Sequence, residues 1–127
     1  MNDANAKIMR KVEETEAFYF CRGLGNFTGQ RANSLEEFLQ KIKGIDSESL
    51  EFHLGRGDFE KWMMFTIGDP QLASDTIMLR EQKLTGSNLR NSLSLLVSKR
   101  LKELTSSSRV PADKVQMKKK RGVKPKN

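Results

Sequence analysis

The chain has 127 residues, 36% of them apolar, and 23 Lys and Arg against 16 Asp and Glu, a formal charge of +7. That size fits one compact core plus an end segment and leaves no room for two independent cores. One cysteine, Cys21, and one histidine, His53, exclude an internal disulfide and a Cys/His zinc cluster, and no run of eighteen apolar residues suggests a membrane span.

Residues 1–16 are polar and lack the apolar stretch of a secretory signal, so the chain reads as cytoplasmic. The helical domain is expected over 17–104. It opens with "AFYFCR", whose aromatic content favours a short strand or one arm of a hairpin, with a partner near Asn26 to Thr28. In that run Cys21 is expected as a small core residue. "RGLGNFTGQ" follows, with Gly23, Gly25 and Gly29 at spacings that match neither the dinucleotide nor the nucleoside triphosphate fingerprint. A turn-rich connection is the favoured reading. The competing one is an anion-binding loop of Arg22, Gly23, Gly25, Gly29 and Arg31, with Thr28 beside them.

Helices then dominate. "NSLEEFLQKIKGI" carries a capping box from Ser34 to Glu37, with Leu35, Phe38, Leu39 and Ile42 on one face and Gly44 at the end. "DSESLEFHLGRGDFEKWMMFTIGD" predicts two short helices, capped by Asp46 and Asp58, around a corner at Gly55 to Gly57. His53 on the first is expected to be a hydrogen-bonded packing residue that anchors the glycine corner, in preference to a general base. Trp62, Met63, Met64 and Phe65 are expected in the core. Asp69 as cap and Pro70 at the first position open the next helix, with Leu72, Ala73, Ile77 and Leu84 apolar and Gly86 just past its end. In "SNLRNSLSLLVSKRLKEL", with Ser87 as cap, Leu89, Leu93, Leu96, Val97, Arg100, Leu101 and Leu104 share one stripe. The expected fold is mainly α: a bundle of about five helices, with a short N-terminal strand or hairpin.

Four blocks in residues 32–73 resemble a small, largely archaeal prokaryotic family catalogued as a domain of unknown function. They are Ser34, Leu35, Glu37 and Phe38; Ser49, Leu50, Phe52 and His53; Arg56, Asp58, Phe59 and Trp62; and Gly68, Asp69, Leu72 and Ala73. Members of that family stand alone or are appended to larger enzymes. The resemblance implies a helical, non-catalytic accessory or interaction module, and it brings no ligand with it.

The charge is segregated. Residues 105–127 hold Arg109, Lys114, Lys118, Lys119, Lys120, Arg121, Lys124 and Lys126 against Asp113, which is 8 − 1 = +7. Residues 1–104 hold 23 − 8 = 15 basic and 16 − 1 = 15 acidic side chains and are neutral. The 105–127 segment has the composition of a disordered basic tail. It is expected to contact DNA or RNA phosphates through Lys114, Lys118, Lys119, Lys120, Arg121, Lys124 and Lys126, at the nucleoid or the ribosome. "KKKRGVKPK" resembles minor-groove hooks loosely, since Val123 and Lys124 replace the single arginine expected between Gly122 and Pro125. The body is left for self-association or a protein partner. The alternative reading is an accessory module docking on a metabolic enzyme, and neither reading needs a cofactor, a catalytic residue or a membrane.

Overall fold

A computed structural model describes residues 3–106, so the tail residues from Arg109 to Lys126 lie outside the described residues. Six α-helices and one antiparallel hairpin are formed: α1 Asp3–Met9, β1 Phe18–Cys21, β2 Phe27–Ala32, α2 Leu35–Gly44, α3 Ser47–Arg56, α4 Asp58–Lys61, α5 Pro70–Glu81 and α6 Gly86–Ser106. The mainly α class and the N-terminal hairpin are as the sequence predicts.

Strand β1 alternates, with Phe18 and Phe20 buried and Tyr19 exposed, because successive side chains leave opposite faces of a strand. Its register pairs Phe18 with Ala32 and Tyr19 with Arg31, then shifts between Phe20 and Cys21. Thr28 stabilises that bulge by donating to the Phe20 carbonyl at 2.7 Å and accepting from the Gln30 amide at 3.1 Å.

The capping box forms in a shifted version. Ser34 Oγ accepts from the Glu37 amide at 3.1 Å, while Glu37 Oε1 accepts from the Asn33 amide, one residue earlier than the usual partner, at 2.8 Å. That bond is the main reason the Glu37 carboxyl sits below its ordinary pKa. The helix so started buries Leu35, Phe38 and Ile42. Phe38 meets Phe59 edge-on at 5.2 Å and stacks with Trp62 at 5.4 Å, so α2 and the α4 region share an aromatic centre with Phe18 and Phe20.

Three local expectations are corrected. Gly55 belongs to α3, and the corner is Gly57 alone, left-handed at φ 80°, where an added Cβ would stand 3.3 Å from Arg80 Nη1. Asp58 is not a cap: Gly57 holds the N-cap position, and the Asp58 carboxylate turns back to α3. Gly86 does not end α5. Lys83, at φ 57°, makes the left-handed turn, and Gly86 opens α6 with its amide held by Glu51 Oε2 at 2.8 Å.

The expected core run Trp62 to Phe65 divides. After α4 the chain widens into a π-helical turn, Trp62–Ile67, in which Trp62, Met63 and Ile67 are buried while Met64 and Phe65 face outward. Trp62 Nε1 donates to the Glu16 carbonyl at 2.8 Å, which ties the turn to the start of β1.

The N-terminal segment joins the body despite its polarity. Ile8 and Val12 are buried, Asn5 donates to the Leu104 carbonyl at 2.9 Å, and Arg10 donates to the carbonyls of Thr66 at 2.7 Å and Ile67 at 3.2 Å. Two inward apolar residues and a few hydrogen bonds dock α1, which is too weak a pattern to detect from periodicity.

Candidate functional site

The glycine loop is a hairpin turn. The Arg22 amide donates to the Asn26 carbonyl at 2.9 Å and the Asn26 amide to the Gly23 carbonyl at 3.0 Å, while Gly25 and Gly29 take positive φ. The two arginines of the anion-loop reading do not converge. Arg22 Nε bonds Asp46 Oδ2 at 3.0 Å on the α3 side, and Arg31 bonds Glu14 at 2.8 Å through both Nε and Nη2 before β1. Arg22 is the main cause of the lowered pKa at Asp46; at Glu14 the Asn33 side-chain Nδ2 donor contributes most and Arg31 next. Each guanidinium therefore already faces a carboxylate.

Below the turn lies a cleft of about 210 Å³ lined by Cys21, Leu24, Phe52, His53, Arg56 and Asp58, with Gly23 and Gly25 at its rim. Phe52 and His53 are neighbours on α3, Asp58 begins α4, and Gly57 makes the bend that lets the two helices face each other. His53 is buried and bonded at both ring nitrogens. The Cys21 amide donates to Nε2 at 2.8 Å, so Nε2 carries the lone pair and Nδ1 carries the hydrogen that Asp58 Oδ2 accepts at 2.8 Å. Arg56 Nε donates to the same Asp58 oxygen at 3.1 Å and its guanidinium lies over Phe52, 5.3 Å from the ring centroid.

Burial is the larger influence on His53 and lowers its pKa, with Asp58 opposing it. A neutral imidazole with its lone pair on a backbone amide holds no position for proton transfer. What the arrangement does is fasten the outer edge of β1 to the α3–α4 corner, which is the anchoring role expected for His53. Cys21 is half-buried at the edge of this cleft and is not the enclosed core residue expected.

A second charged corner went unforeseen. Asp69 caps α5 through the Leu72 amide at 3.3 Å, as expected, and also accepts from Arg100 Nε at 2.7 Å and Nη2 at 3.0 Å while being 0% exposed. The available signal was Arg100 itself, a cation inside the apolar stripe of α6.

Every arginine among the described residues has partners. Besides Arg10, Arg22, Arg31, Arg56 and Arg100, Arg80 pairs with Glu60 and Arg90 donates to the Ile42 carbonyl at 2.8 Å. No group of three or more metal-ligating side chains occurs among the described residues, and no helix among them is long and apolar enough to cross a membrane.

The hairpin carries one surface that the sequence did not announce. Tyr19 is 41% exposed, Phe27 51% and Leu24, at the turn, 81%, and the rings of Tyr19 and Phe27 meet at 5.7 Å. The strand alternation that buries Phe18 and Phe20 would have pointed to Tyr19.

Comparison of the chain with protein-family models, curated proteins and solved structures finds no match.

Proposed function

We propose that the protein is a non-catalytic nucleic-acid-associated protein whose basic segment, residues 105–127, contacts DNA or RNA phosphates while the helical body carries it. The observation behind this reading is how charge is handled in the two parts. The body's fifteen basic and fifteen acidic side chains cancel, and its seven arginines are already engaged by carboxylates or carbonyls. Residues 105–127 carry eight cations and one acid. Lys114, Lys118, Lys119, Lys120, Arg121, Lys124 and Lys126 are the contacts proposed, acting by phosphate neutralisation and counterion release.

The test is a titration of the full chain and of a chain ending at Ser106 against duplex DNA and structured RNA at several salt concentrations. The body core runs from Ile8 to Leu104, so the shortened chain retains all of it. Neutralising seven phosphates gives a log–log salt slope of about −6 on duplex DNA, and removing residues 107–127 abolishes it. Affinity retained by the shortened chain at moderate salt would refute the proposal. Recovery of an enzyme complex that survives both nuclease treatment and loss of residues 107–127 would favour the accessory-module alternative.

A further inference from the structure

The outer face of the hairpin has a composition that the basic segment of the same chain matches. Tyr19 and Phe27 present an exposed aromatic pair, with Leu24 at one end. At the other end, joined to the pair by the Tyr19 hydroxyl donating to the Glu14 carbonyl at 2.6 Å, is the 3₁₀ turn Glu14–Glu16. Glu13, Glu14 and Glu16 are exposed there and Arg31 pairs with Glu14, which is −3 + 1 = −2; the neighbouring Lys11–Glu37 pair leaves that balance unchanged. A patch that is apolar in its middle and acidic at one end selects a segment with apolar residues next to cations. Residues 115–121, "VQMKKKR", have that order: Val115 and Met117, then four consecutive cations.

The chain path allows the contact within one molecule. Helix α6 is described as far as Ser106, and Asn5 bonds the Leu104 carbonyl, so its last described turn lies beside α1. Glu13 is eight residues from Asn5, at most about 28 Å along the chain, whereas the twelve residues from Ser106 to Lys118 reach about 40 Å when extended. A tether that comfortably spans the gap gives an effective concentration in the millimolar range, so a weak contact is enough to populate the docked state.

From this we infer that the basic segment docks on the hairpin face of its own body, with Val115 and Met117 against Tyr19 and Phe27 and Lys118 to Arg121 against Glu13, Glu14 and Glu16. The lysines and Arg121 also meet the exposed ring faces favourably as cations. The consequence rests on the function proposed above. Cations held by the body are withheld from phosphates, so nucleic acid competes with the body for them, and its apparent affinity falls by the fraction of chains that are open.

Zero-length carbodiimide coupling of lysine to carboxylate, applied to an equal mixture of ¹⁴N and ¹⁵N full-length protein and read by peptide mass spectrometry, tests the contact without nucleic acid. Links from Lys118, Lys119 or Lys120 to Glu13, Glu14 or Glu16 within one isotopic chain are expected, and they should disappear in about 1 M salt, where charges are screened within about 3 Å. Absence of such links at low salt, or links found only between the two isotopic forms, would overturn the inference; the second result would mean exchange between copies. Phe27→Ser, which leaves every carboxylate and cation in place, should abolish the links and tighten duplex DNA binding at least about threefold, because the closed population is released. Unchanged links in that variant would also overturn it. Links without DNA binding by any form would leave the docking intact and refute the nucleic-acid reading, while DNA binding without links would do the reverse.

Discussion

Two aspartates, Asp58 and Asp69, stand at helix starts and look alike in sequence, yet they build corners of different kinds. Asp69 is sealed: it caps α5, receives two bonds from Arg100, and is 0% exposed. Asp58 is half-buried beside a cleft, shares one oxygen between His53 and Arg56, and caps nothing. The first corner is permanent, because removing Arg100 strands the fully buried Asp69 carboxylate without its counter-charge. The second holds the hairpin through His53, a titratable group whose pKa burial lowers.

Substitution at the sealed corner should have the largest effect. Arg100→Ala leaves the Asp69 carboxylate buried and without its counter-charge, an expected loss of about 3–5 kcal/mol in urea unfolding. A loss under about 1 kcal/mol would show that the two corners do not differ in the way their burial implies.

The half-open corner should respond next, and to pH. His53 has a folded pKa below its unfolded value of about 6.5. The unfolded chain therefore takes up the proton first, so the contribution of His53 is fully present above about 6.5 and is lost as pH falls through the folded value. Glu14 and Glu37, whose pKa values are lowered from 4.5, act in the same direction at lower pH, so the window between about 6.5 and 4.5 belongs mainly to His53. Unfolding free energy measured across that window should decline in the native chain and stay flatter in His53→Gln. Equal slopes would remove the distinction between the corners.

Smaller effects sharpen the comparison. Asp46→Ala removes an ordinary exposed cap, the 3.2 Å bond to the Glu48 amide, together with the exposed Arg22 pair, and should lower the urea midpoint measurably but by less than Arg100→Ala does. Phe65→Ser, at a side chain 83% exposed, should change stability by no more than about 0.5 kcal/mol. A larger loss would mean that the π turn is held partly from outside the described residues.

Much of the helical framework was legible because its signals are local. The Ser34–Glu37 box, Asp46 before α3, Asp69 with Pro70 before α5, and the α6 stripe each depend on residues within a turn or two of one another. The candidate sites were less legible. His53 was readable as an anchor, but its partner, the Cys21 amide, lies 32 residues away and belongs to a strand edge. Phe65 was expected inside because composition cannot show that the helix widens at Trp62 and rotates the run, placing Met63 inward and Phe65 outward. Arg22 and Arg31 sit close in sequence, and only the hairpin register sends them to different acids.

The sequence by itself determined the mainly α class, most helix starts, and the separation of a neutral body from a basic segment, since caps, periodicity and charge counts are properties of neighbouring residues or of sums. Tertiary structure alone decided that a polar N-terminus docks, that Asp69 meets Arg100, and that Tyr19 and Phe27 form an exposed pair beside three glutamates. Those outcomes depend on which distant groups reach each other once the core excludes water, and no local pattern encodes that distance.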